Sequence, residues 1–227
     1  MWQFSTAAAG QAPPIGTDLS QRILVPFPME SSLSGIGTHS DYAFYRRLFT
    51  VPSAWSGRHV LLHFGAVDWR ASVWVNGHLV GRHQGGYGPF TVDISSALTP
   101  TGDQEIVVAV YAPVDQGGEP IGKQRLTPTG IFYTASSGIW QTPWLEPVPA
   151  AHVDELLTTP DLAGDTVKVT VKAAAGRGDT VQAVAYRGSR PVGSVSGAVG
   201  SYFGMRSISV SSVDGVARGR LNGRPIF

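Results

Sequence analysis

The sequence predicts an all-β protein of the β-sandwich class. Three observations carry that expectation. Apolar residues recur with a period of two in several short windows, as a half-buried strand requires. No long window carries the 3.6-residue apolar stripe of an amphipathic helix. Gly and Pro, 28 and 16 in 227 residues, punctuate the apolar runs at short intervals, the pattern of many short strands joined by turns.

In chain order, His59–Gly65 (HVLLHFG) is a near-continuous apolar run of strand length. Ala71–Gly81 (ASVWVNGHLVG) reads as two strands around Asn76-Gly77, the dipeptide that tolerates the positive φ of a type I′ hairpin turn. Glu105–Tyr111 (EIVVAVY) is a second continuous run, suited to a strand covered on both faces. Val114–Ser137 holds no obvious strand, and its length points to a functional loop. Thr166–Lys172 (TVKVTVK) alternates cleanly, placing Val167, Val169 and Val171 on one face, and Val181–Tyr186 is a further strand. Between Glu146 and His152 the composition changes. All six Trp lie between Trp2 and Trp144, and Pro147 and Pro149 are expected to interrupt pairing. Two β domains follow, residues 1–149 and 150–219.

Hydrophobic residues make up 42% of the chain and charged residues 15%, enough to fill a core. The formal net charge is +1 and no Lys/Arg run occurs, so a nucleic-acid footprint is lacking. With no Cys there is no disulfide, thiolate metal site or Cys nucleophile. No apolar run is long enough to span a bilayer. MWQFSTAAAG lacks the charged and apolar regions of a signal peptide, and the compartment is left open.

Candidate chemistry is sparse. Glycoside hydrolysis needs two carboxylates roughly 5 to 10 Å apart. The available Glu residues are Glu30, Glu105, Glu119, Glu146 and Glu155, and nothing in their spacing makes two converge. His59 and His63 have the spacing of a helical metal pair, but on a strand they lie roughly 13 Å apart. Gly35–Ser40 (GIGTHS) lacks the third Gly of a dinucleotide fingerprint, and Arg177-Gly178-Asp179 reads as a turn. No cofactor motif or metal site is predicted. The aromatic set, from Trp55 to Trp144, serves either a sandwich core or the stacking of sugar rings. Tyr133 and Trp140, in or beside the long loop, are the ligand-facing candidates.

Four stretches, in order and spacing, resemble the sugar-binding jelly-roll domain of glycoside hydrolase family 2. They are VPFPMESSLSGIG (25–37), YRRLFTVP (45–52), HFGAVDWRASVWVNGHLVGRHQGGYGPFTVDI (63–94) and SGIWQTPWLEPVP (137–149). YFGMRSISV (202–210) and LNGRPIF (221–227) resemble the end of that family's immunoglobulin-like second domain and the lead-in to its TIM barrel. The resemblance implies a jelly-roll sandwich over 1–149, a truncated immunoglobulin-like sandwich over 150–219, and a lead-in over 220–227 to a barrel this chain does not contain. The family's catalytic glutamates sit on that barrel, so none is carried over.

Three departures accompany it. WQF (2–4) is similar to the middle of the family's opening segment, so the start looks clipped. SVSGAVG (194–200) runs almost directly into SYFGMR, shortening the second domain. Five residues before the Ser-Gly-Ile motif, where several members place an Asp on the sugar, stands Phe132. The implied role is the non-catalytic N-terminal portion of a family 2 glycosidase, bracing the barrel and walling its sugar pocket. The alternatives are a stand-alone carbohydrate-binding module and a non-functional fragment. The partner in the first two is a carbohydrate, a β-glycoside in the first. The expected contacts are Glu30 and Ser31 in the early segment and Lys123, Gln124, Tyr133 and Trp140 in the long loop, residues that supply hydrogen-bonding groups and aromatic faces.

Overall fold

The structure, a computed structural model, describes residues 1–163, 166–174, 178–198, 206–211, 217–221 and 224–225. Its regular elements are almost entirely strands, and the chain divides into two compact units, Met1–Pro147 and Val148–Phe227.

The first unit opens with β1 (Trp2–Thr6), β2 (Gln21–Ile23), β3 (Tyr42–Phe49), β4 (His59–Phe64), β5 (Val67–Asp68), β6 (Arg70–Val75) and β7 (His78–Gln84). It continues through β8 (Phe90–Asp93), β9 (Gln104–Tyr111), β10 (Gln124–Arg125), β11 (Tyr133–Thr134), β12 (Gly138–Ile139) and β13 (Pro143–Val148). A six-stranded antiparallel sheet runs β2-β1-β3-β9-β6-β7 and a three-stranded sheet runs β13-β4-β8. The apolar run of β9 is explained by its place between β3 and β6, where Ile106, Val107 and Val108 are all buried. Asn76 and Gly77 adopt φ of 48° and 82° at the turn between β6 and β7, as a type I′ hairpin requires. The core, with Phe4, Tyr45, Val73 and Val108 from one sheet and Val60, Leu62 and Phe64 from the other, fills the space between the layers. Pro147, expected to interrupt pairing, lies inside β13. That strand is at the edge of its sheet, where a missing N–H is tolerated.

A buried Arg46–Glu105 pair, extended to the exposed Asp18, locks the N-terminal segment onto the large sheet. Arg46 Nε and Nη1 lie 2.5 Å from Glu105 and Asp18. The Gln3 side-chain carbonyl accepts from Arg46, and the Gly16 N–H donates to the Glu105 carboxylate. Asp18 is held below the usual carboxylate range, first by its hydrogen bond from Gln3 and then by Arg46.

The second unit contains β14 (His152–Asp161), β15 (Thr166–Ala174), β16 (Thr180–Arg187), β17 (Arg190–Ala198), β18 (Arg206–Ser211), β19 (Ala217–Leu221) and β20 (Arg224–Pro225). They form two sheets, β14-β15-β18 and β17-β16-β19-β20. Val169, Val171, Ala173, Val181 and Ala183 are its buried apolar cluster, on the faces that the alternation of TVKVTVK and VQAVAY predicts. Arg177 and the Tyr202–Met205 part of YFGMRSISV lie outside the described residues.

Candidate functional site

In the first unit, three segments distant in sequence meet beside β5. The first is the turn 28–41. Ser31 caps its 3-10 turn, Ser32–Ser34, with its hydroxyl accepting from the Leu33 N–H at 3.2 Å. His39 closes the segment with Nδ1 2.8 Å from Glu30 and Nε2 2.9 Å from Asp41. The second oxygen of Glu30 accepts from the Ser137 N–H at 3.0 Å. Burial pushes the Glu30 carboxyl up, but the bonds from His39 and Ser137 outweigh it and hold it below its ordinary range. Burial likewise opposes the charge on His39, and Glu30 and Asp41 outweigh it, so the imidazole is raised. Glu30, His39 and Asp41 thus act as a clamp that fixes residues 28–41 against Ser137.

The second segment is β5. It pairs with β12, setting Asp68 opposite Gly138, so Asp68 stands next to the clamp. Its carboxyl makes no side-chain hydrogen bond to a described residue. Burial, the neighbouring Glu119 and then Glu30 raise it to about 6. The Gly86 backbone passes so close to Asp68 that a β-carbon at 86 would collide with the Asp68 carboxylate. Trp140 donates its indole N–H to the Gly86 carbonyl at 2.8 Å and meets the exposed Tyr87 edge to face at 5.8 Å.

The third is the long loop before β12. A short parallel pairing of β10 with β11, with the Tyr133 N–H donating to the Lys123 carbonyl at 2.9 Å, gives it internal order. The loop delivers Glu119 and Gln124 to the Asp68 side. Together with Tyr87 and Ser136 these residues line a small cavity of about 40 Å³. Oε1 of Glu119 is buried without a hydrogen-bond partner. No Lys, Arg or His is among the described residues lining this cavity. The two cations of the loop are turned to its own groups: Lys123 Nζ lies 5.9 Å from the Tyr133 ring centroid, and Arg125 sits 4.3 Å over Phe132 and 3.8 Å from Asp115.

Of the residues expected from sequence, Gln124 lines the cavity and Trp140 borders it through Gly86 and Tyr87. Lys123 and the 61%-exposed Tyr133 are on the loop next to it. Glu30 stands behind, with both oxygens bonded inside the clamp, and Ser31 serves as a turn cap. Two other Glu side chains are also engaged away from the cavity: Glu105 pairs with Arg46, and Glu146 lies 3.0 Å from His63. Sequence reading missed Asp68 and Ser136, and left Tyr87 undistinguished within the aromatic set and Glu119 among the Glu residues. The only local signal was the Gly85-Gly86 pair, which permits the close backbone approach.

Chemically, the cavity offers acceptors. Two carboxylates, an amide and a serine beside the Tyr87–Trp140 pair suit a hydroxyl-rich ligand with an apolar ring face. At about 40 Å³ it admits one or two small groups, far less than the 300 Å³ or more of a pocket enclosing a small molecule. Asp68 and Glu119 therefore do not flank a space that holds a sugar ring.

Residues 10–140 match the model of the sugar binding domain of the glycosyl hydrolases family 2. A β-galactosidase of Thermoanaerobacter pseudethanolicus is 32% identical over 132 residues, 56% of this chain and 17% of that protein. A β-glucuronidase of Paenibacillus borealis is 33% identical over 92 residues, 38% of this chain and 15% of its own length. The solved β-glucuronidase of Bifidobacterium dentium, complexed with coumarin-3-O-glucuronide, superposes with a TM-score of 0.73 at 21% identity. That match covers 99% of this chain and 45% of the solved chain. The chain thus spans less than half the length of each of these proteins.

Proposed function

Because the chain belongs to glycosyl hydrolase family 2, we propose that its first unit is the non-catalytic sugar-binding wall of a family 2 glycosidase. In this reading the hydrolytic carboxylates belong to a TIM barrel, and residues 1–149, a jelly roll, brace that barrel and close one side of its sugar pocket. Residues 150–219 of the second unit are a truncated immunoglobulin-like sandwich. The observation that carries the reading is the acceptor-lined cavity at Asp68, Glu119 and Gln124 within the segment that matches the sugar binding domain. Its size suits one edge of a sugar ring held elsewhere. Gln124 and Glu119 accept hydroxyl hydrogens, Trp140 and Tyr87 offer ring faces, and Lys123 and Tyr133 flank the opening. Glu30 acts through His39 and Ser137 as a positioning residue for the loop, with Ser31 fixing the turn that carries it.

The experiment pairs two assays. The 227-residue chain alone is expected to turn over no 4-nitrophenyl β-galactoside, β-glucuronide or β-mannoside above the uncatalysed rate. Sustained turnover through purification would place an acid/base pair in this chain and overturn the reading. Assayed together with the barrel, Gln124→Ala and Glu119→Ala are expected to raise KM about tenfold or more, since each removes an acceptor for a sugar hydroxyl. Wild-type kinetics in both variants would remove the cavity from the sugar site.

A further inference from the structure

Between the two layers of the first unit, lined by none of the residues of the long loop, an open crevice of about 300 Å³ reaches into the core. Sandwich cores close-pack, and voids beyond the size of a water molecule are few. This one has the volume of a small-molecule pocket. Its floor is apolar, with Leu62 and Ile106 only 2% and 3% exposed. Trp2 and Trp144 contribute aromatic surface to it, and Arg47 also lines it.

Two features go beyond an incidental gap. Trp144 is 47% exposed, yet it is held in place: its ring stacks on His63 at 4.7 Å and 11°. The His63 ring is fixed in turn by Thr91 Oγ1, 2.8 Å from Nδ1, while the Glu146 carboxylate lies 3.0 Å from Nε2 without the alignment of a hydrogen bond. A half-exposed indole with its orientation set from behind is a pre-organised platform, which lowers the ordering cost of binding. The second feature is the charge. The Arg47 guanidinium lies 5.9 Å from the Trp2 ring centroid and pairs with no carboxylate among the described residues. It leaves a planar fork of donors free for an anion.

We propose that this crevice is a second binding site, separate from the sugar wall, for a small apolar carboxylate. The apolar body lies along Trp144 over Leu62 and Ile106, and the carboxylate meets Arg47. A sugar is a poor fit, because among the described lining residues the neutral polar groups are confined to the Thr142 hydroxyl and the indole N–H groups of Trp2 and Trp144, so most hydroxyls would lose their hydrogen bonds.

The test is calorimetric titration of the 227-residue chain with 4-phenylbutyrate and with 4-phenylbutan-1-ol, which share the apolar body and differ in charge. The acid is expected to bind saturably and at least about tenfold more tightly than the alcohol. Arg47→Gln should reduce the acid to the affinity of the alcohol, and Arg47→Lys should retain part of the difference. Trp144→Ala should weaken both ligands about tenfold, and Glu119→Gln should change neither. Both Arg47 and Trp144 are exposed, so thermal melts of the variants should match wild type and report that they fold. Equal affinities for acid and alcohol, acid binding untouched by Arg47→Gln, loss of binding on Glu119→Gln, or no saturable binding by about 10 mM would each overturn the site.

Discussion

Asp68→Asn replaces a carboxylate by a near-isosteric amide at a place where the fold disfavours charge. The Asp68 carboxyl moves from an ordinary 3.8 to about 6 because it is buried and faces Glu119 and Glu30. A shift of about two pH units corresponds to about 3 kcal/mol as an upper figure. Asp68 is half-buried, and solvent screening of its exposed part reduces this to about 1–2 kcal/mol. The sign follows from the direction. The native state prefers protonated Asp68, so ionisation costs nothing below about 3.8, costs progressively more up to about 6, and is felt in full above that. Asp68→Asn is therefore expected to stabilise the first unit by about 1–2 kcal/mol at pH 7.5 and to give no gain at pH 4. The assay is urea unfolding followed by tryptophan fluorescence, because all six Trp lie between Trp2 and Trp144 and report on that unit. Destabilisation at pH 7.5, or a gain that does not vary with pH, would refute the reading of Asp68 as an unpaired carboxylate.

Three further outcomes follow from the same geometry. Arg46→Met strips the counter-charge from the buried Glu105 and should cost about 3 kcal/mol or more in urea unfolding, as removal of one partner from a buried pair does; a loss under about 1 kcal/mol would remove the pair from the determinants of stability. Gly86→Ala sets a methyl against the Asp68 carboxylate and should cost about 1–3 kcal/mol, and unchanged stability would show that Asp68 has another place to go. For His39→Gln, the raised native imidazole contributes stability that is present below the ordinary value of 6.5 and is lost as pH rises through the raised one. The difference in Tm between wild type and variant should accordingly be largest near pH 5.5 and shrink by pH 9, and a difference constant over that range would contradict a charged clamp.

What could be read from the sequence divides along local and non-local lines. The hairpin at Asn76-Gly77 was legible because one dipeptide carries its turn geometry. β9 and β15 were legible because burial on two faces and on one face leave different apolar periods in EIVVAVY and TVKVTVK. β1 and β3 were not, because Trp2–Thr6 is short and YAFYRRLF breaks its alternation with the paired Arg46. Pro147 misled because its meaning depends on whether β13 is an edge strand, which is a property of the sheet and not of the segment. In the candidate site, Gln124 and Trp140 were reachable as polar and aromatic residues in or beside a long loop. Asp68 and Glu119 were not, because their meeting depends on the β5–β12 pairing and on the path of the loop after β9. Glu30 drew notice for its carboxylate, but the structure commits both of its oxygens to His39 and Ser137. Only the fold places those two groups beside it.

The most direct test of the sugar-wall assignment is a map of where a sugar touches the chain. Isotope-labelled protein would be titrated by NMR with methyl β-D-galactoside, β-D-glucuronide and β-D-mannoside. The assignment predicts weak, saturable amide shifts with at least one of them, with Kd in the millimolar range expected of half a pocket. The shifts should cluster at Gly86, Tyr87, Glu119–Gln124 and Ser136 and be lost in Glu119→Ala. Shifts confined to other faces of the unit, or none with any of the three up to about 100 mM, would contradict it.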